Sequence, residues 1–186
     1  PKRLLIREAE CPTPTTLYGA AKLSACLLTQ RIMKLAGLQN AWLRIFSTYG
    51  PGDNPDWLLP SLIRQLLQGQ CPPLTACEQT WDNLHVDDAA AAFERVAATG
   101  ATGIFNLASG VEVPLRDVVM LIRDAINPQL QLGFGAVPYR PDQVMRMQVD
   151  IRRIRELAAW EPRLKVREGI VGLVKSFQPA FTLAIE

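Results

Sequence analysis

The chain of 186 residues is 48% hydrophobic and 20% charged, and its 20 basic and 18 acidic side chains leave a net charge of +2. That profile fits a globular protein with a sizeable core, and it singles out neither nucleic acid nor an anionic membrane as a partner. No run of 18 apolar residues offers a membrane span.

Cys11, Cys26, Cys71 and Cys77 lack C-x-x-C spacing, and His85 is the single histidine, so no metal site is expected. Cys26 falls inside an apolar helical pattern, where a reduced, buried thiol is expected. No secretory signal is visible, and the expected compartment is a reducing cytoplasm. The sequence starts at Pro1 instead of Met, which leaves room for residues upstream.

In chain order, Thr15 and Thr16 offer helix caps. Leu23, Leu27, Leu28, Ile32 and Leu35 then recur at helical offsets up to Gly37, a natural stop. AWLRIF (41–46) predicts a buried strand running into the turn Tyr49-Gly50-Pro51-Gly52. Pro55 opens a helix over 57–67, ending at Gly69. TWDNLHV (80–86) predicts a strand, and Asp87 or Asp88 is expected to cap the alanine-rich helix behind it. GIFNLAS (103–109) is another strand, followed by a helix over 113–126 with Pro114 in its first turn. QLGFG (131–135) predicts a short strand. Asp150 caps a helix through Leu157, and a last helix covers 166–177. Strands alternating with helices indicate α/β architecture. The proline-rich segments 51–60 and 71–73 look like loops around a site.

LYGAAKL (17–23) holds one of only three tyrosines, four residues before a lysine. On a helix, Tyr18 and Lys22 share one face about one turn apart. A free phenol has a pKa of about 10 and is a poor base, but a nearby ammonium favours the phenolate. Such a pair can exchange the proton of a sugar hydroxyl while a hydride moves on the same carbon. The small residues Gly19, Ala20 and Ala21 would let a cofactor approach. Taken alone, the pentapeptide reads first as a solvated surface pair.

Its surroundings decide for chemistry. The approach ECPTPTTLYGAAK (10–22) is similar to the segment before the YGxSK helix of extended short-chain dehydrogenase/reductases, the NAD-dependent epimerase/dehydratase family of nucleotide-sugar enzymes. LRIFSTYGPGDNP (43–55) resembles that family's R-h-F-N-x-Y-G-P-G segment, and LLPSLIRQLL (58–67) resembles the loop and helix after it. WDNLHVDDAAAAF (81–93) resembles R-D-F-h-H-V-x-D-h-A, and GIFNLASG (103–110) resembles G-x-Y-N-h-G-S-G. YRPDQVMRMQVDIRRIRELAAWEP (139–162) resembles the R-P-G-D stretch with its later Asp and L-G-W-x-P. Six motifs in order cover nearly the whole chain.

The resemblance implies the C-terminal part of a Rossmann-type parallel sheet plus a smaller mixed α/β substrate-binding region. Residues 1–50 would belong to the cofactor domain, with parts of 80–110 returning to it, and 51–186 mainly to the nucleotide-sugar region. Tyr18 would be the acid/base and Lys22 would hold the nicotinamide ribose of NAD or NADP, NAD being the first choice. Phe46, Ser47 and Thr48 would lie beside the nicotinamide and the sugar. Leu58, Leu59 and Pro60 match the loop over the nucleotide. Arg140 matches the arginine that pairs with the diphosphate, a task suited to its fork of donors.

Three departures stand out. Ser47 replaces an Asn common in relatives, keeping a donor but shortening the reach. Trp81 stands where many relatives have a diphosphate-binding arginine, and it brings one donor but no charge. Arg140-Pro141-Asp142 lacks the usual glycine. His85 is read as structural.

The family's G-x-x-G-x-x-G turn, which cradles the cofactor pyrophosphate, is nowhere in these residues, and neither is the upstream catalytic Ser/Thr. The expected whole is a longer enzyme interconverting nucleotide-diphosphate sugars, with 4-epimerisation first, 4-keto reduction or 4,6-dehydration as alternatives, and this piece inactive alone. The contrasting reading is a split product that only binds a nucleotide sugar or a partner protein. A homodimer through the Leu27–Leu28–Ile32 stripe is a further expectation.

Overall fold

A computed structural model describes residues 5–178. The outermost parts of both expected regions, 1–4 and 179–186, lie outside the described residues.

A two-residue strand β1 (Leu5–Ile6) leads through an exposed loop to helix α1 (Leu17–Leu35). Thr16 is extended, and its hydroxyl accepts the Gly19 N–H at 3.1 Å, so the predicted cap is in place. Strand β2 (Ala41–Ile45) is followed at once by β3 (Ser47–Tyr49), then by α2 (Leu58–Leu67). Next come β4 (Thr80–His85), α3 (Val86–Thr99), β5 (Gly103–Leu107), β6 (Glu112–Pro114) and α4 (Leu115–Ile126). The chain closes with β7 (Gln148–Val149), α5 (Arg152–Ala158) and α6 (Val166–Phe177).

The pairing is mainly parallel. β2 runs beside β5 from Ala41↔Gly103 to Ile45↔Leu107, so residues 103–107 return to the strand after α1. β3 pairs in parallel with β4, which pairs antiparallel with β6. β1 pairs in parallel with β7.

Several sequence expectations change. Residues 131–135 form a single bridge, Pro73↔Gly133, because the chain turns there and Ala136 N–H donates back to Gly133 O at 3.3 Å. The helix expected from 113 starts at Leu115, since 112–114 is drawn into the sheet beside β4. Neither Asp87 nor Asp88 caps α3: His85 does, its Nδ1 accepting Asp87 N–H at 3.2 Å. Asp88 is instead buried and accepts the backbone N–H groups of Arg163 and Leu164. Asp150 does serve α5, accepting Arg152 N–H at 3.0 Å, with Ile151 at the cap position. β2 is half-buried, not buried, and among the described residues only one of its edges is paired. Beside that open edge lies a hollow of about 500 Å³ lined by Trp42, Leu43, Phe93 and Val96, with no titratable side chain.

Two hydrophobic clusters hold these elements. One joins α2, α4 and α6 through Leu62, Ile63, Val119, Ile122, Ile170 and Leu173, with Tyr49 among them. The other joins β5, α3 and α5 through Phe105, Leu107, Ala92, Ile154 and Trp160. Helix α1 belongs to neither. Cys26 is its one buried residue, and Leu27, Leu28 and Ile32 face solvent. All four cysteines are free thiols, and no described helix is long and apolar enough to cross a membrane.

The approach of α6 to β3 has no slack. A Cβ on Gly169 would sit 2.2 Å from the Tyr49 hydroxyl, and Tyr49 is itself buried. Gly169→Ala is therefore expected to destabilise the fold: overpacking costs about 1–3 kcal/mol, more than the gain of up to about 1 kcal/mol in helix propensity. Urea titration checks this, and adding Tyr49→Phe, which removes the clashing oxygen, should recover part of the loss.

Candidate active site

Tyr18 and Lys22 stand on the first turns of α1, and the Lys22 ammonium lies 5.5 Å from the centre of the Tyr18 ring. Tyr18 is 73% exposed, and Lys22 makes no ion pair among the described residues. Both line a cleft of about 360 Å³ whose opposite wall is β2, through Trp42, Leu43, Arg44 and Ile45. Arg44 is held there by donating to Glu8 O at 3.1 Å. Gly19 was expected to admit a cofactor, but a Cβ there would lie 3.0 Å from Pro14 Cβ and 3.3 Å from Thr16 Oγ1. Its small size is accounted for by the chain's own turn.

Where β2 passes into β3, the surface continues. Ile45 ends the first cleft and begins a second, lined by Phe46, Ser47, Trp81, Arg140 and Val144. Ser47, Trp81 and Arg140 then belong also to a third cavity of about 330 Å³, with Thr48, Leu58, Leu59 and Asn83. Each hollow shares lining residues with the next, and all predicted site residues except Pro60 line them. Pro60 is buried within α2. Phe46 also packs against the second hydrophobic cluster.

The electrostatics are mixed. The Arg140 guanidinium makes no salt bridge among the described residues, which leaves it free for an anion. Asp53 and Asp56 line the same cavity and oppose that charge. Trp81 differs from expectation: its indole N–H donates to Val144 O at 2.8 Å, so its single donor is spent on the 140–147 loop and only its ring faces a ligand. Tyr49 provides a contrast with Tyr18. Burial, and then the Asp88 carboxylate, push its pKa up to about 12, so it is a neutral core residue.

Residues 2–108 match the profile of the NAD dependent epimerase/dehydratase family. The chain belongs to that family. Among curated relatives, UDP-glucuronic acid decarboxylase 5 of Arabidopsis thaliana is 29% identical over 147 residues, covering 76% of this chain and 42% of that protein. GDP-6-deoxy-D-mannose reductase of Pseudomonas aeruginosa is 23% identical, covering 94% of this chain and 60% of that protein. Among solved structures, UDP-N-acetylglucosamine 4-epimerase from Methanobrevibacter ruminantium M1, in complex with UDP-N-acetylmuramic acid, superposes with a TM-score of 0.87 at 23% identity. That match covers 95% of this chain and 58% of the other, and shows the fold. The chain thus spans roughly half the length of the relatives it matches.

Membership in an NAD-dependent family asks whether these residues fit the cofactor. The Tyr18–Lys22 cleft has an uncommitted ammonium and an exposed phenol, which fits the ribose end of a dinucleotide. No glycine-rich turn for the pyrophosphate exists in the 186 residues.

Sequence reasoning missed Asp53, Asp56 and Asn83. Asp53 falls inside the matched segment 43–55 and Asp56 just after it, in the GPGDNPD loop, and their position there was a usable signal. Asn83 could have been noticed because it occupies the apolar position of the R-D-F-h-H-V pattern.

The indole tether gives a test. Trp81→Phe removes one hydrogen bond worth about 0.5–1.5 kcal/mol. Hydrogen exchange should therefore quicken by roughly two- to tenfold across 143–147 and stay unchanged in α4.

Proposed function

We propose that this chain is the acid/base and substrate-binding part of an NAD(P)-dependent enzyme acting on nucleotide-diphosphate sugars, with 4-epimerisation as its reaction. The observation that carries this is the series of three hollows with shared lining residues, from Tyr18 and Lys22, by Ile45 and Phe46, to Ser47, Trp81 and Arg140.

In this reading Lys22 donates to the nicotinamide ribose and supplies a positive charge beside Tyr18. The Tyr18 phenolic oxygen takes the proton of a sugar hydroxyl and later returns it. Bound NAD would accept and give back the hydride on that carbon. Phe46, Ser47 and Thr48 flank the reacting sugar, Leu58 and Leu59 cover the nucleotide, and Arg140 meets the diphosphate. Pro60 contributes by holding α2 in place.

Two other readings have an observation each. The reductase relative aligns over 94% of the chain, which supports a 4-keto-sugar reductase. The uncharged Trp81 and the carboxylates of Asp53 and Asp56 support a fragment that only binds. The cofactor half, with its glycine-rich turn, is proposed to be supplied from outside these residues. A homodimer would use the exposed Leu27, Leu28 and Ile32 of α1.

Tyr18→Phe is expected to lower kcat by about 10²–10⁴-fold in the protein as its gene encodes it. Its melting temperature should not change, since Tyr18 is exposed. Assays with UDP-glucose, dTDP-glucose and GDP-mannose, with NAD or NADPH, would measure this. A Tyr18→Phe protein as active as the parent would rule out the acid/base role. Residues 1–186 expressed alone should show no turnover, and turnover by them would sink the divided-enzyme reading.

A further inference from the structure

Asn83 is a buried carboxamide, 6% exposed, in the wall of the cavity that holds Arg140. It lies directly opposite Ser47 in the β3–β4 register. The Ser47 hydroxyl donates to Asn83 Oδ1 at 2.9 Å. The other end of the carboxamide, Nδ2, has no partner among the described residues. A buried, unpartnered donor is destabilising, and an apolar side chain in its place would avoid that cost. Such a residue calls for an explanation beyond packing.

Both members of the pair depart from the family pattern. Ser47 stands where that pattern has Asn, and Asn83 stands where it has Phe. The carboxamide has in effect moved from one strand to the registered position on its neighbour. Ser47 is half-exposed and lines both the middle cleft and the third cavity. Because Asn83 Oδ1 can only accept, the single hydroxyl proton of Ser47 is committed to it. Ser47 then presents only lone pairs to a ligand.

We infer that Asn83 is a positioning residue that makes Ser47 an obligate acceptor, and so selects a ligand hydroxyl at this point of the cavity. A phosphate oxygen, which cannot donate, is directed to Arg140. The sugar of a nucleotide sugar carries such hydroxyls and its diphosphate does not. The inference rests on the nucleotide-sugar reading of the cavity proposed above. Trp81 offers no rival donor there, because its N–H is held by Val144 O.

Isothermal titration of the protein as its gene encodes it would test this. The probes are UDP-glucose, dTDP-glucose and GDP-mannose, each against its nucleoside diphosphate. Asn83→Leu is expected to weaken the best-bound sugar nucleotide by roughly five- to tenfold, the worth of one hydrogen bond, and the nucleoside diphosphate by less than about twofold. Ser47→Ala should give the same loss. Combining the two changes should add nothing further, as expected for groups acting as one unit. The melting temperature of Asn83→Leu should change little, since the variant loses the hydrogen bond from Ser47 together with the unpartnered Nδ2. If that variant fails to fold, Ser47→Ala alone decides between the sugar nucleotide and the diphosphate. Equal losses for both kinds of ligand would mean that Ser47 meets a group the two share, a phosphate oxygen or a hydroxyl of the nucleoside, and would overturn the inference. Unchanged affinity in Ser47→Ala would also overturn it, while leaving the cavity's function intact. A wild-type protein that binds none of the probes would overturn the reading of the cavity and this inference with it.

Discussion

The parallel register of β3 on β4 is the constraint on which the rest depends. It sets Ser47 against Asn83, Thr48 against Leu84 and Tyr49 against His85. Residues two apart on a strand share a face, so the polar pair and the aromatic pair lie on the same side. Tyr49 and His85 meet edge to face at 5.4 Å, and Tyr49 then fills the space under Gly169. A slip of one residue would turn the ring out of the core and the serine away from the cavity. The same few hydrogen bonds therefore anchor α6 and shape the candidate site.

Buried carboxylates secure the ends of this sheet. Asp82 is fully buried between Trp81 and Asn83, and accepts Ser109 N–H, Ser109 O–H and Gly110 N–H. Burial raises its pKa in spite of those bonds, which act in the opposite direction. Asp88 performs a similar task one helical turn into α3, gripping the loop before α6. Asp150 differs: the Arg152 guanidinium holds its carboxyl below the usual range. Each carboxylate collects backbone or guanidinium donors and ties a loop to its neighbours. The cavity walls are fixed in this way although they come from four separate stretches of chain.

The opposite end of the molecule is organised differently. Helix α1 buries one residue, and β2 has one unpaired edge beside an apolar hollow. Unpaired N–H and C=O groups along a strand invite another strand. Tyr18 and Lys22 thus sit on a helix that packs little against the rest of the described structure, whereas the cavity with Arg140 is backed by the buried residues Tyr49, Asn83 and Leu115.

What the sequence determined by itself was periodicity and local chemistry. The helical spacing in 17–35, the Thr16 cap and the strands at 41–45, 80–85 and 103–107 are written in neighbouring residues, and so is the Tyr18–Lys22 face. Motif order then pointed to the family. Only the tertiary structure decided which short segments became strands. β1, β3, β6 and β7 have two or three residues each and carry too little pattern to be read; each exists because a distant partner satisfies its backbone. The same reason explains the rest. Trp81 lost its donor to Val144 and Asn83 found Ser47, through contacts between residues 63 and 36 positions apart. Hydrogen-bond partners at long separation are chosen by register and packing, and neither is written in local sequence.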